Sequence, residues 1–276
     1  QGVTTVIRGE DHLSNTPRQI HIQNALGYDS LEYAHLPMVL GQDKKRLSKR
    51  NAVTSLQDFF EQGYLESSII NMLARLGWSR GDKEIFYLKD LIDDFRIQEV
   101  QKAGAIFDPS KLDWINNHHL AALSFDDFKS RLIPFLDALD LDYMQKKNTN
   151  EIIAAMRSSK PTLLGVAHEL IPYFSEIDSY DEKAAKKFLI GSEDVLEFVQ
   201  RKLNSIDEWD ESSIDKALKE AQTALGLPTP KLNQPIRIAM TGSTQSPSLG
   251  LTLSLFKLDE VNNRINAALK YLINFN

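Results

Sequence analysis

The chain has 276 residues, a formal net charge of −6, a pI near 5.6 and no cysteine. Its length accommodates about two domains with large cores, while the missing cysteine excludes disulfides, a thiolate nucleophile and a cysteine-based zinc site. The acidic balance excludes an overall basic nucleic-acid binder but leaves room for a local basic face that holds phosphates, and without a signal peptide or long apolar span a soluble, cytoplasmic protein is expected.

Thr4 to Arg8 is rich in β-branched residues and reads as a buried parallel strand. Gly9 to Asn15 is a polar turn carrying Glu10, Asp11 and His12. A helix then opens with a capping-box pattern, Thr16 as N-cap, Pro17 first and Gln19 third, and Gly27 ends it. Leu36 to Leu40 reads as a second short strand. Strand, helix and strand together suggest one flank of a doubly wound sheet, whose ligands bind at the strands' carboxyl ends. Arg8 stands at such an end. From the residues alone its guanidinium reads as one side of an ion pair with Glu10 or Asp11.

After Met38-Val-Leu40 and the bend at Gly41, five of the seven residues from Lys44 to Arg50 are cationic, and Ser48 adds a hydroxyl. By composition this is a solvated basic loop. By position, at the mouth of a strand, it is a grip for polyphosphate.

Beyond residue 51 the apolar spacing turns helical. Ser55 to Phe60 opens a short helix, and Leu65, Ile69, Leu73 and Leu76 form one stripe that stops at Gly77. Trp78, Phe86, Tyr87 and Leu88 supply core around an Arg80-Gly-Asp82 turn. A further helix is expected near Ile97 to Lys102, and another from Ser110 carrying Leu112 and Ile115. The six histidines lack metal-ligand spacing, and the adjacent His118 and His119 read as surface or interface residues.

From Leu123 onward helices dominate. Ser124 and Asp127 cap a helix carrying Phe128, Leu132 and Leu136, which Pro134 kinks or shortens. Ile152–Met156, Leu163–Phe174, Asp181–Leu189, Ser192–Leu203, Ser213–Leu225 and Asp259–Ile273 follow. Arg237 to Gly242 reads as shorter and partly strand-like, and Ser243 to Pro247 as a loop or phosphate-holding helix start.

Arg46-Leu-Ser-Lys-Arg50 resembles the lysine-serine-lysine signature loop (KMSKS) of class I aminoacyl-tRNA synthetases, in the form used by bacterial glutamyl-tRNA synthetases. Val6 to Gln19, Ala34 to Leu40 and Phe107 to Asn116 resemble further ordered blocks of that family, and Arg237 to Gly242 followed by Ser246-Pro-Ser248 resembles a landmark near its end. The resemblance implies a mainly α fold: the remnant of a doubly wound α/β nucleotide-binding fold over 1–50, a small stem-contact domain over 51–120, and an all-helical anticodon-binding region over 121–276, with two subdomains dividing near 191–205. The resemblance also implies ATP-dependent activation of glutamate and its transfer to tRNA. Lys49, Arg46 and Ser48 then serve the activation step; Lys49, Val39, Leu40 and His12 meet ATP; and Arg8 binds glutamate. Arg157, Lys160, Arg237 and Arg264 are candidate tRNA contacts, though each taken singly also reads as a solvated charge. ATP with Mg2+ is the implied substrate, with no protein-bound zinc. The implied partners are tRNA(Glu), with tRNA(Gln) as a second candidate, and the implied state is a monomer.

The family's histidine-containing signature (HIGH) does not occur in these residues, and the chain opens without methionine inside a strand-like run. The expectation is therefore a C-terminal portion of such an enzyme, inactive alone. The competing expectations are a tRNA-binding module without catalysis and a helical scaffold whose basic loop is incidental.

Overall fold

In the computed structural model of the chain, which describes residues 2–47 and 55–273, strand β1 (Thr5–Gly9) leads through a 3₁₀ turn (Glu10–Asn15) into helix α1 (Thr16–Ala25). Strand β2 (Glu32–Leu36) returns parallel to β1, with Arg8 opposite His35. The expected strand–helix–strand order holds, but the expected burial does not. Ile7 is 56% exposed, and Val3, Leu13, Ile22 and Leu26 are also more than half exposed. Parallel sheets ordinarily carry cover on both faces; among the described residues β1 pairs with β2 alone. Thr16 is the first helical residue and not the N-cap: its hydroxyl turns toward the end of β1, where Arg8 needs an acceptor.

The strand expected over 36–40 is broken at Pro37, which has no N–H for a ladder. Strand β3 (Val39–Leu40) pairs in parallel with β4 (Ala105–Ile106), not with β2. A two-residue strand has no alternation to read, so the sequence gives no sign of β4.

Helix α2 (Leu56–Glu61) carries a full capping box between Ser55 and Asp58. In α3 (Glu66–Arg75) Leu65, Ile69 and Met72 are buried, while Leu73 is 52% exposed. The inner face thus runs through Met72, one position from the expected stripe. Gly77, at φ 108°, follows the helix end. Helix α4 (Leu88–Asp94) stands where none was expected; of the residues expected to supply core here Trp78 and Phe86 are buried, whereas Tyr87 and Leu88, at the start of this helix, are exposed. The helix expected near 97–102 is one 3₁₀ turn, Ile97–Glu99. Helix α5 (Pro109–Ala122) starts at Asp108, whose carboxylate accepts from Ser110 N at 3.0 Å.

Two buried amides join α3 to α5. Asn116 Oδ1 accepts from Leu65 N (2.9 Å) and Ser68 Oγ (2.6 Å). Asn71 Oδ1 accepts from Phe86 N (2.9 Å) and stands 3.1 Å from His119 Nε2, while its Nδ2 donates to Glu84 O (3.0 Å). His119, expected at the surface or an interface, is 2% exposed within this unit. A hydrogen bond to Asn71 is what makes an imidazole tolerable there.

Residues 1–123 form one compact unit and 124–276 a second. The second begins with α6 (Phe125–Ala138), capped by Ser124 and continuing past Pro134, with α7 (Thr149–Met156) and α8 (Leu163–Phe174) after it. Helix α9 (Glu182–Ala184) runs into a π-helical turn (Ala185–Leu189) and is followed by α10 (Glu193–Leu203), α11 (Glu211–Leu225) and α12 (Thr229–Thr241). The chain ends in α13 (Leu249–Ser254) and α14 (Leu258–Ile273). Residues 237–241, expected to be partly strand-like, are the last turns of α12. Ile236, Ile238, Ala239 and Met240 are all buried, so this helix is apolar on more than one face and its period is hidden. No helix of the described residues is long and apolar enough to cross a membrane.

Burial pushes the His119 pKa below the ordinary histidine value of 6.5. As pH falls through that value the unfolded chain therefore takes up a proton before the folded one, and stability present above it is lost. Denaturation midpoints measured at about pH 8 and about pH 5.5 should fall for the native chain. The drop should be smaller for His119→Gln; an equal drop would show that His119 does not carry the dependence.

Candidate functional site

The carboxyl end of β1 is built around Arg8, which is half-buried. Its Nη2 donates to Thr16 Oγ1 (2.8 Å) and Gln19 Oε1 (2.7 Å), and its Nε lies 3.4 Å from His35 Nε2. Tyr33 adds a ring 5.5 Å from the guanidinium. Among the described residues no carboxylate lies within ion-pair distance of Arg8. The alternative pairing with Glu10 or Asp11 is not formed, because both acids serve the neighbouring loop. Glu10 Oε1 accepts from Met38 N at 3.0 Å, and Asp11 Oδ2 accepts from Arg46 Nη2 at 2.9 Å. A guanidinium held in place by neutral groups keeps its charge uncompensated, which favours an incoming anion.

The stem of the basic loop is a tight turn. Gly41 N donates to Lys45 O (2.8 Å), Lys44 N to Gly41 O (2.9 Å), and Leu47 N to Val39 O (3.0 Å). Lys44 sits at φ 59°, a left-handed conformation that costs a non-glycine residue roughly 1 kcal/mol. The turn brings Arg46 back beside Leu40 in an antiparallel bridge. A cavity of about 480 Å3 is lined by Val39, Leu47, Phe59, Met72 and Phe107, with Asp11 and Arg46 as its charged residues. Arg46 is 67% exposed, so its pairing with Asp11 is exchangeable. Ser48 and Lys49 lie outside the described residues.

Of the remaining expected site residues, Val39 lines this cavity but Leu40 and His12 do not. Both backbone carbonyls of the short strand are engaged, Val39 O by Leu47 N and Leu40 O by Phe107 N (2.8 Å). The His12 carbonyl accepts from Thr16 Oγ1 at 3.3 Å, and its side chain is exposed. Gln19, His35 and Asp11 are the neighbours sequence reasoning did not assign to the site. The parallel register that sets His35 opposite Arg8 is the signal that finds His35.

In the helical unit the candidate cations have different surroundings. Arg157 lies 5.1 Å from the Phe128 ring. Lys160 Nζ pairs with Glu169 (2.9 Å) and reaches Gln245 Oε1 (3.3 Å). Two cavities of about 210 and 330 Å3 share Met156, Glu169, Gln245 and Ser246, so Lys160 and the 243–247 loop flank one recessed polar surface. Arg237 is turned inward, with Nε donating to Ser246 Oγ (2.8 Å) and Nη2 to Pro247 O (3.1 Å). Arg264 donates to three backbone carbonyls. Burial pulls both guanidinium pKa values down from the ordinary one.

Residues 1–114 match the family model for the catalytic domain of class I tRNA synthetases (E and Q), and residues 127–269 match that for an anticodon binding domain. The glutamate–tRNA ligase 2 of Halorhodospira halophila is 38% identical over 272 residues, and the glutamate–tRNA ligase of Geobacter sulfurreducens 37% over 272. Each alignment takes in 98% of this chain but only 58% of the relative, so the chain spans little more than half the length of these proteins. A glutamate tRNA ligase from Elizabethkingia meningosepticum, solved in complex with its amino acid, superposes with a TM-score of 0.78 at 27% identity, covering 98% of this chain and 57% of its own. Glutamate–tRNA synthetase from Elizabethkingia anophelis gives 0.76 at the same identity.

The loop stem depends on Gly104. A Cβ there would lie 2.8 Å from Leu40 Cδ1 and 3.3 Å from Met38 O, inside the β3–β4 contact. Gly104→Ala should lower stability by about 1–3 kcal/mol in chemical denaturation; an unchanged midpoint would mean that Leu40 can move aside without loss.

Proposed function

The chain belongs to the class I aminoacyl-tRNA synthetases of the E and Q type, and from that membership we propose that it is the signature-loop and anticodon-reading portion of a glutamate–tRNA ligase. The reaction is attack of a glutamate carboxylate on the α-phosphorus of ATP, with pyrophosphate leaving, followed by transfer of the glutamyl group from the adenylate to a tRNA hydroxyl, with AMP leaving. Arg8 holds a carboxylate of glutamate. Arg46, Ser48 and Lys49 hold ATP phosphates and stabilise the charge that develops on them. The strand at Val39 and Leu40 takes the adenine side, with His12 nearby.

The observation that carries this reading is Arg8. It is a half-buried guanidinium at the carboxyl end of a parallel strand, oriented by Thr16, Gln19 and His35 and lacking a carboxylate partner among the described residues. Asp11 supports the loop assignment in the same way, since an exposed carboxylate on Arg46 is a partner that a phosphate can replace. Mg2+ bound to ATP would supply further positive charge to the phosphates.

The helical unit binds tRNA(Glu), and tRNA(Gln) is the second candidate; Arg157 and Lys160, both half-buried, are the candidates for contact. The protein works in the cytoplasm as a monomer. A second reading, a tRNA-binding module without catalysis, draws support from the exposed apolar residues of β1 and α1, which leave the catalytic side uncovered in this chain.

Two measurements on this chain test the pair. Binding to tRNA(Glu) transcripts should weaken about tenfold or more on single anticodon changes and fall steeply with salt. Glutamate-dependent ATP–pyrophosphate exchange by the chain alone should be undetectable. Exchange activity would remove the second reading, and binding indifferent to the anticodon would remove the anticodon assignment.

A further inference from the structure

Arg264 is placed near the middle of α14, and its side chain enters the space where two other helices end. Nη1 donates to Met240 O at 2.6 Å, in the last turn of α12. Nη2 donates to Pro172 O at 2.6 Å and Ser175 O at 2.8 Å, in the last turn and at the C-cap of α8. The last carbonyls of a helix have no partner within it and carry the negative end of its dipole. One guanidinium therefore serves as the cationic cap of two helices at once. Its plane lies 4.6 Å from the Phe256 ring, which stacks on Tyr173 of α8 at 5.1 Å and an interplanar angle of 11°.

Those two helices carry the recessed surface of this unit. Before α8 come Ser158, Ser159 and Lys160; after α12 the chain turns at Gly242 (φ 75°) into the 243–247 loop. Gly242 O also accepts from Asp181 N at 3.0 Å, and Ser243 N reaches Thr241 Oγ1 at 3.4 Å, so the loop's start is fixed to the end of α12. Lys160 lies before the start of α8, but its pair with Glu169 ties its ammonium to the half of the helix that Arg264 holds, so a change in the spacing of that half and the end of α12 would separate Lys160 from Gln245.

We infer that Arg264 is a positioning residue for RNA recognition: it touches no nucleotide but clamps the ends of α8 and α12, so that Lys160 and the 243–247 loop face a base at a set separation. The inference rests on the tRNA-binding reading above. A planar fork is what the geometry requires, because a lysine ammonium cannot reach three carbonyls from one plane with the same reach.

The experiment compares the full chain with Arg264→Lys and Arg264→Met in binding to tRNA(Glu) transcripts with native and altered anticodons across a salt series, with far-ultraviolet circular dichroism as the check of folding. Both variants should lose about tenfold of the anticodon preference while the slope of log K against log salt stays unchanged, since no phosphate contact is removed. Phe256→Leu, which takes the ring from beside the guanidinium and leaves the carbonyls, should show the same loss in smaller degree and serves if Arg264→Met does not fold. Native behaviour of Arg264→Lys, with a slope reduced by about one in Arg264→Met, would make Arg264 a phosphate contact and overturn the inference. Intact preference in all three variants would also overturn it. Absence of anticodon preference in the unsubstituted chain is a different result: it overturns the tRNA-reading assignment itself, and this inference with it.

Discussion

A guanidinium drawn out of water is stabilised by acceptors, and the partners of Arg264, Arg237, Arg8 and Arg46 fall into two kinds. Arg264 is met by three main-chain carbonyls, and Arg237 by a hydroxyl and a carbonyl of the 243–247 loop. Their hydrogen-bonding capacity is directed inward, and their work is to hold helix ends and a loop in place. Arg8 is met by a threonine, a glutamine and a histidine, none of which cancels its charge. Arg46 is met by a carboxylate, but in contact with solvent. The first pair gives geometry, and the second pair leaves charge available to a ligand.

The same logic governs the small first unit. Its α3–α5 contact includes polar groups as well as hydrocarbon, and these are tolerable because Asn71 and Asn116 each accept two hydrogen bonds or hold a buried histidine. This contact supports Met72, Phe107 and Leu112, which pack with Val39 and Leu47. The basic loop thus rises from a stem whose underside is a built core, and Gly104 keeps the β3–β4 pair close enough for that core to close.

The exposed apolar residues of β1 and α1 fit this picture. A parallel strand with Ile7 open to solvent is a poor stable surface and a good interface.

Much was legible in the sequence because local rules decide it. Ser55, and Ser124 with Asp127, announced helix starts that the fold uses, the Phe128–Leu132–Leu136 stripe announced a buried face, and the order of short blocks around Arg8 and Arg46 announced the family. These features depend on residues within a turn or two of one another. What the sequence could not decide were outcomes of distant pairing. Thr16 had to choose between capping its own helix and serving Arg8; β3 had to choose between β2 and a two-residue partner at 105–106. His119 became core because Asn71, far away in the chain, offered its amide, and Arg264 became a clamp because α8 and α12 end beside it. Hydrogen-bond satisfaction of buried groups is a condition on the whole fold, so tertiary structure alone decided which partners Arg8, Arg237 and Arg264 meet.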